Sequence, residues 1–304
     1  MPITTLRVIQ LCLNFISVTM HVVGMYALLS LLPTSRGKTQ RMYLINLTAV
    51  EICYNVLEFI RGVAELLGHY SPWVDNIQIV SWTGVSFIFY LAMMYIPLDR
   101  FALISFNARY KVYWNVRKTK LHVIGTWLFG CTVSVIVCVL RATTGFDWLN
   151  VFFPWLYTTM DILVVLVAVT SYICIHRTVR KSKNKVKVAR PKESSSSPTG
   201  NIPTNDSRCQ KRRFTSKPML LVPVMLIATY ILFQLLPNLV YFVAIRMRTN
   251  LSDITTTICN IAYGMSHFVD AIIYIFLLKD VRMFLHQKLH VIFRKENERQ
   301  VQPA

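Results

Sequence analysis

A chain of 304 residues that is 54% hydrophobic and only 15% charged is too apolar for a water-soluble domain, which leaves the membrane proteins. A net charge of +19 would suit a nucleic-acid binder if the bases were spread over a soluble fold. They fall instead in blocks between apolar runs, so no nucleic-acid partner is expected.

Apolar runs long enough to span a bilayer core as a helix, about 20 residues, occur at 8–32, 42–67, 77–104, 121–140, 151–176, 219–245 and 254–278. In hydrocarbon the backbone has to bond within each segment, so the expected fold is an all-α, seven-transmembrane helix bundle over residues 8–278. The first run is longer than the 7–15 residues of a signal-peptide core, and only residues 1–7 precede it as a short outer terminus.

Lys and Arg set the orientation. With the amino terminus outside, the inner segments hold 27 of them and the outer segments four, which predicts an extracellular amino terminus and a cytoplasmic carboxyl terminus. Residues 180–217 form a basic, Ser/Pro-rich inner loop, read as a linker without a core of its own. Residues 279–293 put Val281, Phe284, Leu285 and Leu289 on one face, an amphipathic helix along the inner leaflet, followed by a cytoplasmic tail at 294–304.

Asp99 and Arg100 stand side by side where the third run gives out. Charges kept at a membrane edge carry a functional hypothesis, because an ionised group in hydrocarbon costs roughly 2.5–3.5 kcal/mol even on insertion scales. Two further acids, Glu51 and Asp270, lie in mid-span. Where two such carboxylates are brought together they rarely both ionise without a cation, and then either sodium lies between them or they share a proton. Glu58, Arg61 and Glu65 share a face of the second helix, either as an internal ion-pair ladder or as a polar wall of a ligand pocket. The lining would come from Trp82, Phe152, Trp155, Asn238, Tyr241 and Phe242.

Asp99, Arg100, Ile104 and Tyr110, at their spacing and at the end of the third of seven helices, resemble a rhodopsin-like (class A) G-protein-coupled receptor. Phe101 stands where that family has Tyr after the Arg. The segment "NLTAVE" at 46–51, Trp127, Tyr172, Pro237 and "DAIIY" at 270–274 give partial matches, with Glu51 and Asp270 at its usual Asp and Asn.

The resemblance implies a receptor, not an enzyme, whose partner is a heterotrimeric G protein. It implies that Asp99 holds Arg100 at rest and that Arg100 swings toward Tyr172 and Tyr274 on activation. It also implies a core ion or proton pocket of Glu51, Asp270 and Ser266, and kinase and arrestin contacts through Ser194–Ser197 of the inner loop. Lys217 replaces the acid that would clamp Arg100 from the sixth helix, and Leu235 replaces a Trp, so raised ligand-free signalling is expected. Trp82 and Gly264 stand where the family's amine receptors carry Asp and its opsins carry Lys. The expected ligand is therefore a small peptide or a lipid, not a monoamine and not retinal. A polytopic transporter and an intramembrane hydrolase are the alternatives, and the former would call for an inverted repeat.

Overall fold

A computed structural model of the protein describes residues 3–32, 38–68, 72–106, 109–110, 114–144, 147–188, 218–247 and 253–301. Among these, every regular element is a helix. In chain order they are α1 (Ile3–Leu31), α2 (Lys38–Leu66), α3 (Pro72–Val80, continued by Ser81–Val85 into Ser86–Phe106) and α4 (Val116–Thr144). There follow α5 (Asp147–Val188), α6 (Pro218–Tyr230, continued by Ile231–Leu235 into Leu236–Arg246), α7 (Asp253–Leu277) and α8 (Lys279–Val301). Helices α1 to α7 are each long and apolar enough to cross a membrane, as befits a multi-pass membrane protein.

The ends of the helices depart from expectation. Helix α5 runs on to Val188, into the segment read as loop, because "RKSKNKVKV" is rich in helix-forming Lys and Arg and meets no proline before Pro191. Helix α8 passes residue 293 to Val301 for the same reason, the tail "RKENERQ" being made of helix formers. Helix α1 starts at Ile3, inside the expected outer terminus.

Helix α3 is the axis of the bundle: 61% of its apolar window is buried, against 22% for α1 and for α4. It packs on α2, α4 and α5, while α1 lies against α2 and α7, and α6 against α5 and α7. Tyr43, Leu47, Ile88, Leu226, Tyr230 and Tyr274 fill the centre. Polarity is inverted relative to a soluble protein. Phe15, Leu128, Val135 and Leu166 are more than half exposed, whereas Glu51, Asp99, Arg100, Asp161 and Asp270 are buried.

The α3–α4 crossing is close because both helices lack a side chain at the contact. A Cβ on Gly130 would sit 2.8 Å from the Gly84 carbonyl oxygen and 2.3 Å from Ile88 Cγ1. Backbone cannot yield as a flexible side chain does. Gly130→Leu should therefore force α4 off α3 and destabilise the fold by about 1–3 kcal/mol, seen as a lower unfolding midpoint of the purified chain in detergent.

Candidate functional site

At the end of α3 the adjacent charges part company. Asp99 and Arg100 are both buried. Asp99 Oδ1 accepts a 2.6 Å hydrogen bond from the Tyr110 hydroxyl, which in turn accepts one from Thr39 Oγ1 at 2.7 Å. A relay of neutral hydroxyls from α2 and the segment after α3 thus satisfies the carboxylate. Among the described residues Arg100 makes no hydrogen bond or ion pair, and its Nε is enclosed without a partner.

No ion pair joins Asp99 to Arg100 among the described residues, where the resemblance implies a resting pair, and Tyr110 engages Asp99 Oδ1. The Arg100 guanidinium lies within electrostatic reach of Asp99, Tyr110 and Tyr172. The hydroxyls of Tyr172 on α5 and Tyr274 on α7 are likewise buried without partners. Phe101, next to Arg100 in sequence, is half-buried. Lys217 and Ser194–Ser197 lie outside the described residues.

Midway along the bundle a polar chamber joins α1, α2 and α7. Glu51, Ser266 and Asp270 line it, all buried. With them stand two histidines, His21 of α1 and His267 of α7. His21 Nε2 donates to the His267 carbonyl oxygen at 2.8 Å, and its Nδ1 lies 3.2 Å from Glu51 Oε2. His267 Nδ1 lies 3.9 Å from Glu51 Oε1. Thr229 Oγ1, from α6, donates to Asp270 Oδ1 at 2.9 Å.

Both Glu51 oxygens, Asp270 Oδ2, Ser266 Oγ and the Nδ1 atoms of both histidines lack hydrogen bonds. The third-helix wall of the chamber is the ring of Phe89, 5.5 Å from the His267 ring, which offers no oxygen. Among the described residues no three His, Cys, Asp or Glu side chains are placed to hold a metal ion. The facing acceptors of Glu51 and Asp270 call for a cation between them, and a shared proton, or a sodium ion held by their free oxygens and Ser266 Oγ, would supply it. A sequence signal for His21 existed: Asn14, Ser17 and His21 recur at i, i+3 and i+7 on α1, a buried polar stripe in an apolar helix.

Toward the opposite end of the bundle, α2 carries its charged ladder. Arg61 Nη2 donates to Glu58 Oε2 at 2.7 Å and Arg61 Nη1 donates to Glu65, while Ser81 Oγ donates to Glu58 Oε1 at 3.0 Å. The three charges are engaged with one another, which favours the internal ladder over a ligand-facing wall. Removing the central cation would leave the buried Glu58 uncompensated, whereas Glu65 keeps Arg7 at 3.9 Å. Arg61→Ala should destabilise the chain by about 3–5 kcal/mol, whereas the double change with Glu58→Gln should recover part of that, a comparison made by thermal unfolding.

The remaining pocket candidates separate by helix face. On α5 the exposed positions Phe152, Trp155, Ile162, Leu166, Val169 and Ile173 form one outward apolar stripe, and Trp155 is 57% exposed. Phe152 and Trp155 therefore face out of the bundle and do not line a shared pocket. Phe242 packs edge-on against Trp155, with ring centroids 5.5 Å apart. The side chain of Trp82 lies outside the described residues.

The inward stripe of α5 instead carries Asp161, fully buried and not foreseen from the sequence. Tyr230 and Asn238 of α6 donate to its two oxygens, Asn238 Nδ2 at 2.5 Å, and the Tyr263 hydroxyl of α7 donates to Asn238 Oδ1 at 2.6 Å. Tyr241 is partly buried nearby in sequence, its hydroxyl 3.4 Å from the Thr256 carbonyl oxygen. Asp161 is an acid in mid-helix within "TTMDILVV", the same signal that singled out Glu51. No protein-family model matches the chain, and no curated protein matches it.

Proposed function

We propose that the chain is a rhodopsin-like G-protein-coupled receptor of the plasma membrane, with its amino terminus outside and its carboxyl terminus in the cytoplasm. It relays the binding of a small extracellular ligand, a peptide or a lipid, to a heterotrimeric G protein. The count of 27 inner against four outer Lys and Arg supports the orientation. The observation that carries the reading is Arg100: a buried guanidinium that makes no hydrogen bond or ion pair among the described residues, at the end of the most buried of seven membrane-length helices. A buried group that cannot lose its proton calls for an acceptor. Here that acceptor is a carbonyl at the end of a helix docked by the G protein.

Tyr172 and Tyr274, with their unpartnered hydroxyls, are the groups that steady Arg100 once the partner is seated. The chamber of Glu51, Asp270 and His21 changes its shared proton as α7 moves. Kinases and arrestin act on Ser194–Ser197. The test is binding: synthetic peptides matching the carboxyl termini of each G-protein α-subunit class, added to the purified chain, should raise its unfolding midpoint with one class. Arg100→Ala should remove that rise. No shift with any peptide would count against the reading.

A further inference from the structure

The charge on Asp161 has no counterpart. No ion pair reaches it among the described residues, and its donors are neutral groups of α6. Around it stand tyrosines from four helices. Tyr230 of α6 bonds the carboxylate, Tyr157 lies one turn before it on α5, and the ring centroid of Tyr90 on α3 is 6.3 Å from that of Tyr157. Tyr263 of α7 is linked through Asn238. A carboxylate in a ring of tyrosines presents a negative charge and electron-rich rings together, the two features that hold an organic ammonium.

The arrangement depends on the π turn at Ile231–Leu235, which lies between Tyr230 and Asn238. Over eight residues a regular helix would set these two side chains about 80° apart. One residue inserted by the π turn takes away about 100°, leaving them within about 20° on one face. Both can then grip the one carboxylate. Asn238 is the more accessible part of this grip, being half-buried where Asp161 is fully buried. Its amide N–H occupies the position on Oδ2 that an ammonium N–H would take.

Asp161 lies six residues in from Trp155, the start of its membrane window, and Asn238 six in from Ala244, the end of its own. At 1.5 Å per residue the site is ~9 Å in from those window ends.

We propose that Asp161, with Tyr90, Tyr157, Tyr230 and Tyr263, is the recognition site for the ammonium group of the extracellular ligand, and that Asn238 is the group it displaces. This deepens the receptor reading, on which its meaning as a signal rests, and selects a peptide with a free amino terminus over a neutral lipid. The acid comes from α5, where the third-helix acid of amine receptors is missing.

Binding can be read without any G protein. The purified full chain in lipid nanodiscs is titrated with phenylalaninamide, with its N-acetylated twin, which has lost the charge, and with phenethylamine, which keeps the ammonium but lacks the amide. Phenylalaninamide should raise the unfolding midpoint by roughly 5 °C near saturation, and the acetylated twin should leave it unmoved. A similar rise with phenethylamine assigns the site to any ammonium, and a smaller one to peptide termini. Asp161→Asn should weaken phenylalaninamide binding at least tenfold. Tyr157→Leu, which keeps the acid and its α6 bonds, should weaken it severalfold. Equal shifts from the charged and acetylated compounds, or no shift from either amine on the wild-type chain, overturn the proposal whether or not Asp161→Asn folds. A failure here with intact binding of G-protein peptides would leave the receptor reading standing.

Discussion

Cells expressing Arg100→Ala should signal no more than cells carrying empty vector, while the variant reaches the surface at close to the wild-type level. The residue is buried yet makes no hydrogen bond or ion pair among the described residues, so its removal breaks no contact that holds the fold. Deleting a buried, unpartnered charge relieves a desolvation cost instead. A slight gain in thermal stability is the expected companion. A structural arginine would behave in the opposite way: signalling and surface level would fall together. Arg100→Lys should not rescue coupling, because a point charge with three donors does not reproduce the planar fork. Wild-type signalling from Arg100→Ala at matched surface level would remove Arg100 from the switch.

The second large effect concerns basal activity. With Asp99 Oδ1 engaged by Tyr110, no hydrogen bond or ion pair among the described residues holds Arg100, and the ligand-free chain should signal measurably. Tyr110→Phe deletes the hydroxyl and leaves a buried carboxylate short of its main donor. Asp99 then turns to the nearest charge, the guanidinium of Arg100, and forms the resting pair that the wild-type chain lacks. A hydrogen bond to a charged partner contributes about 1.5–3 kcal/mol. Placed on the inactive state, even the lower figure shifts a two-state equilibrium about tenfold.

Basal signalling should therefore fall by about tenfold in Tyr110→Phe, and Lys217→Glu should lower it by supplying a second acid. Dose–response measurements at matched surface expression check both. An unchanged or increased basal signal in Tyr110→Phe would show that the Tyr110 relay is not what frees Arg100.

Sequence alone made the spans legible, since a run of about 20 apolar residues has few readings. The ends of α5 and α8 were not legible, because Lys- and Arg-rich stretches suit a solvated helix as well as a loop, and no local residue decides between them. Asp99, Arg100, Glu51 and Asp270 stood out as charges in apolar surroundings. Their partners did not: Tyr110 meets Asp99 across the turn after α3, and His21 meets Glu51 from another helix, contacts that only packing creates. Phe152 and Trp155 were drawn toward a pocket by their aromatic character, although their shared spacing with Ile162 and Leu166 marks the outward stripe. Applied to α5, that same periodicity would have turned Asp161 inward.

The most direct measurement of the central claim is guanine-nucleotide exchange by purified heterotrimers of each G-protein class, mixed with the ligand-free chain in lipid nanodiscs. The account predicts faster exchange than with empty nanodiscs for at least one class, and no acceleration by Arg100→Ala. Exchange rates equal to those with empty nanodiscs for every class would contradict it.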